Sequence, residues 1–142
     1  EKAREAILRG DRKVDGYWIC TSKIDLDIKL NKGETKLWEL TRDVIIRVLD
    51  GIVIDVITTE TERGMHTVVN WIHEKDISDY TLNFVQLLLG DDIVRYKIND
   101  HRIKRGIPFE RANILFSKIL RRYPHEDDSK IKIALERIVG EI

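Results

Sequence analysis

The sequence predicts an α+β domain built on one antiparallel sheet, and three observations carry that prediction. Residues 17–28 alternate between apolar and polar after Cys20, and residues 52–59 are a β-branched run, both marks of strands. Two intervening stretches, from Thr35 to Leu49 and from Asp79 to Leu89, space their apolar residues as helices do, and each is followed by a glycine, Gly51 and Gly90. Further strand-like segments over 65–72 and 93–98 complete the order β-α-β-β-α-β.

Taken in order, the first ten residues read as a helix stopped by Gly10. In the first long strand Trp18, Cys20, Ile24, Leu26 and Ile28 mark the alternation. Asn31-Lys32-Gly33 is a turn. The helix that Thr35 opens carries Leu37, Leu40, Val44, Ile45, Val48 and Leu49 on one face, expected to be its core face, and Asp50-Gly51 ends it. Glu60 to Gly64 is a charged turn between the second and third strands. Ser78 or Asp79 caps the next helix, whose apolar face is Leu82, Val85, Leu88 and Leu89. Ile93 to Ile98 reads as the fourth strand, followed by a basic loop. Pro108 to Arg122 reads as helix through Ala112, Leu115, Phe116, Ile119 and Leu120, with a strand over Asn113 to Phe116 as the alternative. A last helix starts at Ser129, after an acidic surface loop from His125 to Asp128.

Composition narrows the function classes. A chain of 142 residues fits one domain, with a core at about 17–105 and a C-terminal helical extension at about 108–142. It can bury a core without disulfides, and Cys20 is its one cysteine, which excludes a disulfide framework or a cysteine-rich zinc site. Charged residues make up 35% and cancel, 25 basic against 25 acidic, so any attraction to nucleic acid must come from a local patch such as Arg102, Lys104 and Arg105. There is no apolar run of membrane-spanning length and no signal peptide, so a soluble, cytoplasmic protein without a membrane partner is expected. The first residue is Glu1, and a minimal core or a piece of a larger replication protein is the expectation.

The β-α-β-β-α-β order is that of ferredoxin-like and RNA-recognition-motif-like sheets, which pack two helices on one face and leave the other free. In that topology the first and third strands are central neighbours, with the fourth on the far side of the first. Strand side chains alternate, so Asp25 and Asp27 point to the same, open face, about 6–7 Å apart. Two carboxylates that close are costly to keep ionised together, and a divalent cation removes the cost. Oxygen ligands suit Mg²⁺ or Mn²⁺. His66 on the third strand, preceded by Arg63-Gly64, then faces the pair from the neighbouring strand, an arrangement suited to a cation-bound triphosphate.

These residues resemble the motifs of the archaeo-eukaryotic primase (primase-polymerase) superfamily. Asp25-Leu26-Asp27 is similar to its hydrophobic-Asp-hydrophobic-Asp first motif. Thr61-Glu62-Arg63-Gly64-Met65-His66 resembles its second, commonly Ser-Gly-Arg-Gly-x-His, with Thr61 for Ser and Glu62 for Gly. The third, a hydrophobic residue followed by Asp, has Asp100 as its nearest match, preceded by Asn99; Asp91 and Asp92 are the substitutes. The resemblance covers about residues 17–105. It implies metal-dependent addition of nucleotides to a nucleic-acid 3′ hydroxyl, with Asp25, Asp27 and Asp100 as catalytic metal ligands. It further implies Arg63 and His66, with Thr61, at the nucleotide phosphates, and nucleoside triphosphates and a single-stranded template as partners; Arg95, Lys97 or Arg102 is expected to add charge. A plasmid or virus of an archaeon is the host it suggests. Two other readings accompany it: a non-catalytic nucleic-acid-binding or protein-interaction module on the same fold, and a structural domain that dimerises through its open sheet face. The aromatic pattern of an RNA-binding sheet is lacking, since the third strand offers Val68 and Asn70 outward.

Overall fold

The computed structural model describes residues 1–115. The sequence-predicted helix from Ser129, the loop from His125 to Asp128 and the segment beyond Leu115 lie outside the described residues. The elements are α1 (Lys2–Arg9), β1 (Lys13–Val14), β2 (Tyr17–Leu26), α2 (Lys32–Val48), β3 (Ile52–Glu60), β4 (Met65–His73), α3 (Asp79–Leu88), α4 (Ile93–Lys104) and α5 (Phe109–Ala112). The architecture is α+β: a four-stranded antiparallel sheet of order β1-β2-β4-β3, flanked by helices and compatible with a ferredoxin-like arrangement.

Three of the four predicted strands take their expected places, with β2 and β4 as central neighbours and β3 outside β4. Cys20, Ser22 and Ile24 of β2 are buried on one face together with Thr67, Val69 and Trp71 of β4. Thr21, Lys23 and Asp25 occupy the other face, as a two-residue period requires. The core joins Cys20, Ile24, Val69 and Trp71 to Ile46 of α2 and to Val85 and Leu89 of α3. Polar atoms inside it are partnered: the Trp71 indole donates to Ser22 Oγ at 3.0 Å, and the Trp38 indole to the Leu89 carbonyl at 3.0 Å.

Helix α2 starts on a capping box, in which Asn31 Oδ1 accepts from the Glu34 N–H and Glu34 Oε1 from the Asn31 N–H, each at 2.9 Å. Its buried face differs from the expected one. Leu37, Leu40, Val44 and Val48 are exposed, whereas Trp38, Ile45, Ile46 and Leu49 pack on the core. The cause is Arg42, which stands amid the buried face, its guanidinium 5.2 Å over the Trp38 ring. A buried arginine there hides the inner stripe from any count of apolar residues.

Two further departures shape the site. Residues 93–98, expected as the fourth strand, belong to helix α4, which Asp92 caps by accepting from the Val94 N–H at 2.9 Å. Val94, Tyr96 and Ile98 alternate like a strand, but the buried positions are Arg95, Ile98, Asn99 and Ile103, which share one helical face. The outer edge of β2, where that strand would pair, is met by β1 at its start and by side chains further on. Gln86 Oε1 accepts the Lys23 N–H at 2.7 Å, Asp91 Oδ1 accepts the Asp25 N–H at 2.8 Å, and Arg95 donates to the Lys23 carbonyl at 2.8 Å. The second face of the sheet is also less free than expected. Helix α1 touches both edge strands, β1 and β3, and so crosses it; Ile72, on that face and outside the main core, is only 8% exposed.

Candidate functional site

The site lies at the end of the sheet where β2 finishes and the β3–β4 turn begins. The β2–β4 register sets Asp25 directly across from His66, and Thr59 of β3 lies on the other side of His66. His66 Nε2 is 3.4 Å from Asp25 Oδ1; the histidine side chain is buried and the aspartate half-buried. Asp27 follows the last residue of β2 and is exposed.

A tight turn carries Arg63 to this end. The Thr61 N–H donates to the Gly64 carbonyl at 2.9 Å, and the Gly64 N–H donates to Thr61 Oγ1 at 3.0 Å. Thr61 therefore closes the turn with its hydroxyl, a role that serine also fills. Gly64 lies against the backbone that follows Leu26: a Cβ there would sit 1.9 Å from the Leu26 carbonyl oxygen and 2.8 Å from the Ile28 nitrogen. Only glycine permits that approach, and it ties the turn bearing Glu62 and Arg63, both exposed, to the segment bearing Asp27.

Behind Asp25 stands a buried polar cluster. Asp91 Oδ1 accepts from both the Asp25 N–H and Arg95 Nη1, while Gln86 Nε2 donates to Asp91 Oδ2 at 3.0 Å. Arg95 Nη2 and Gln86 Nε2 meet on Asn113 Oδ1 at 2.8 and 2.9 Å. Burial pushes the Asp91 carboxyl above its ordinary range, against the pull of Arg95 and of the N–H groups of Asp25 and Gln86. The cluster holds the backbone of Lys23 and Asp25 in the last part of β2. In the sequence, Asp91 reads as a substitute metal ligand and Arg95 as a nucleotide contact; in the structure they hold each other. The overlooked signal is their spacing of four residues: Asp91, in the turn before α4, reaches Arg95 in the first turn of that helix and makes a buried ion pair.

The sequence-predicted residues thus divide into two groups. Asp25, Asp27, Arg63, His66 and Thr61 gather at the end of β2 and β4. Asp100 and Arg102 do not join them through a fourth strand, because both are on α4. Asp100 pairs with Lys104 at 2.8 Å, which raises the lysine pKa, and Arg102 donates to the Ala112 carbonyl at 3.0 Å. Among the described residues no group of three or more His, Cys, Asp or Glu side chains is arranged to hold a metal ion. Asp25 and Asp27, separated by one residue at this end, are two carboxylates, and Mg²⁺ is commonly held by one or two carboxylates plus phosphate oxygens and water. No described helix is long and apolar enough to cross a membrane. Comparison of the chain with protein-family models, with characterised proteins and with solved structures finds no match.

Proposed function

We propose that this chain is a metal-dependent nucleotidyltransferase of the primase-polymerase type, adding nucleotides to a nucleic-acid 3′ hydroxyl. The observation that carries the reading is the β2–β4 register opposing Asp25 to His66, with Gly64 fastening the Arg63 turn beside Asp27. Asp25 and Asp27 would hold Mg²⁺ or Mn²⁺, with phosphate oxygens taking the place that the resemblance gives to Asp100. The bound cation supplies charge neutralisation at the phosphates and a lowered pKa at the attacking hydroxyl. Arg63 pairs with the triphosphate, and His66, held by Asp25, offers its ring as a further phosphate contact. Arg95 contributes indirectly, by fixing Asp91 and through it the backbone of Asp25. The same reading makes a single-stranded template the second substrate, a larger replication protein of a plasmid or virus the natural context, and the cytoplasm the compartment.

The test is incorporation of labelled nucleotides onto a primed template with Mn²⁺. The Asp25→Ala plus Asp27→Ala double variant is expected to lose it while keeping the wild-type circular dichroism spectrum. Equal incorporation by the folded double variant would falsify the reading.

A second reading, a non-catalytic nucleic-acid-binding or protein-interaction module, is favoured by one observation: Asp100 is bound to Lys104, away from Asp25. It predicts metal-independent binding of single strands that the double variant retains.

A further inference from the structure

A cavity of about 310 Å³ opens on the outer edge of β2, four residues along the strand from Asp25. Trp18, Leu82 and Phe109 give it apolar walls, and Ile19, Thr21 and Lys23 run along it. The edge is satisfied on both sides of Thr21. The Ile19 N–H donates to the Arg12 carbonyl at 2.9 Å, and the Lys23 N–H and carbonyl are taken by Gln86 and Arg95. Odd-numbered residues of this stretch aim their backbone groups outward, so the N–H and C=O of Thr21 face the cavity. Among the described residues neither group has a partner. Its side chain is occupied elsewhere, donating to Asn70 Oδ1 at 2.8 Å.

Backbone N–H and C=O groups are ordinarily matched, and a pair that no described residue matches, on a strand edge over a cavity, has the form of a recognition edge. An extended residue holds its N–H and C=O side by side and pointing the same way. Their complement is a planar group with an adjacent acceptor and donor. A running peptide strand needs several consecutive free residues, and here Arg12 and Gln86 close the edge on both sides of Thr21. Acids outnumber bases in the lining, with Asp11, Asp76, Asp79 and Glu110 against Arg12 and Lys23, which disfavours an anion. The volume lies at the small end of ligand pockets. We infer that this cavity binds a nucleobase, whose hydrogen-bonding edge pairs with the Thr21 backbone while its ring lies against the apolar walls. The inference is independent of the proposed activity, because it uses none of the residues at Asp25 and His66.

Amide-resolved NMR of the full chain tests it. Without ligand, the Thr21 amide is expected to exchange with solvent faster than those of Ile19, Lys23 and Asp25. Titration with adenosine, guanosine, cytidine and uridine is expected to give a saturable shift of the Thr21 amide with at least one of them. Thr21→Val keeps the N–H and is expected to keep binding; Thr21→Pro removes it, at an edge position that tolerates proline, and is expected to bind at least tenfold more weakly. Should the proline variant not fold, the wild-type titration alone decides. A Thr21 amide as protected as its neighbours, no shift with any nucleoside up to its solubility, or a shift with an extended tetrapeptide alone would each overturn the inference.

Discussion

At Gly64 a single methyl group decides whether the site can form. Alanine there meets the Leu26 carbonyl at less than contact distance, and the obstacle is backbone, which cannot swing aside. Gly64→Ala is therefore expected to destabilise by about 1–3 kcal/mol, as overpacking against a rigid neighbour does. Urea unfolding would measure it, and a loss below about 0.5 kcal/mol would contradict the close packing. Asp91 makes a second prediction at this scale. Its folded carboxyl holds its proton to a higher pH than the unfolded one, whose ordinary value is 3.8. The stability tied to that protonation is complete below this value and is lost as pH rises through the raised value. Asp91→Asn removes the titration. The difference in unfolding free energy between variant and wild type should shift in favour of the variant as pH rises above about 4. A shift in favour of wild type would mean that Arg95 outweighs burial and holds the carboxyl below its ordinary range. Burial, with Asp76 adding, pushes the Cys20 thiol up to about 12, which disfavours its thiolate.

Among the elements, α2 separates what the sequence reveals from what it conceals. Its start was legible to within a few residues, because a turn of Asn and Gly precedes a run of helical spacing. Its inner face was not, because Arg42 interrupts that face and the outer face, Leu37, Leu40, Val44 and Val48, is equally apolar. Ile46→Ala is expected to cost about 2–5 kcal/mol and Val44→Ala under about 1 kcal/mol. Equal losses in thermal or urea unfolding would put the faces the other way round. Helix α4 was misread for a related reason. Its buried face is half polar, so Val94, Tyr96 and Ile98 alone set the apparent period, and that period is two. The strands β2, β3 and β4 were readable because alternation and β-branching agree there, and their order gave the meeting of Asp25 with His66. The Asp100 assignment depended on the fourth strand and goes to α4 with it.

At the scale of the whole molecule, one end of one sheet holds the polar groups that pattern and resemblance both select. The edge of β2 is finished not by a fourth strand but by Gln86, Asp91 and Arg95, which reach in from α3, the following turn and α4. That arrangement anchors Asp25 from behind, so the carboxylate is presented by a strand fixed on both sides. Removing the anchor should loosen the site before it unfolds the domain: Arg95→Met is expected to weaken Mn²⁺-dependent nucleotide binding while the circular dichroism spectrum stays that of the wild type. Loss of all structure in that variant would instead make the cluster essential to the fold.

The proposed activity requires a cation and a triphosphate to meet at Asp25, Asp27, Arg63 and His66. Paramagnetic broadening by Mn²⁺ with a nucleoside triphosphate reports that position directly, since amide signals near the ion disappear. Broadening is expected at residues 25–27 and 63–66, abolished in the Asp25→Ala plus Asp27→Ala variant, and none is expected at residues 100–104. Broadening centred on α4, or unchanged broadening in the double variant, would contradict it.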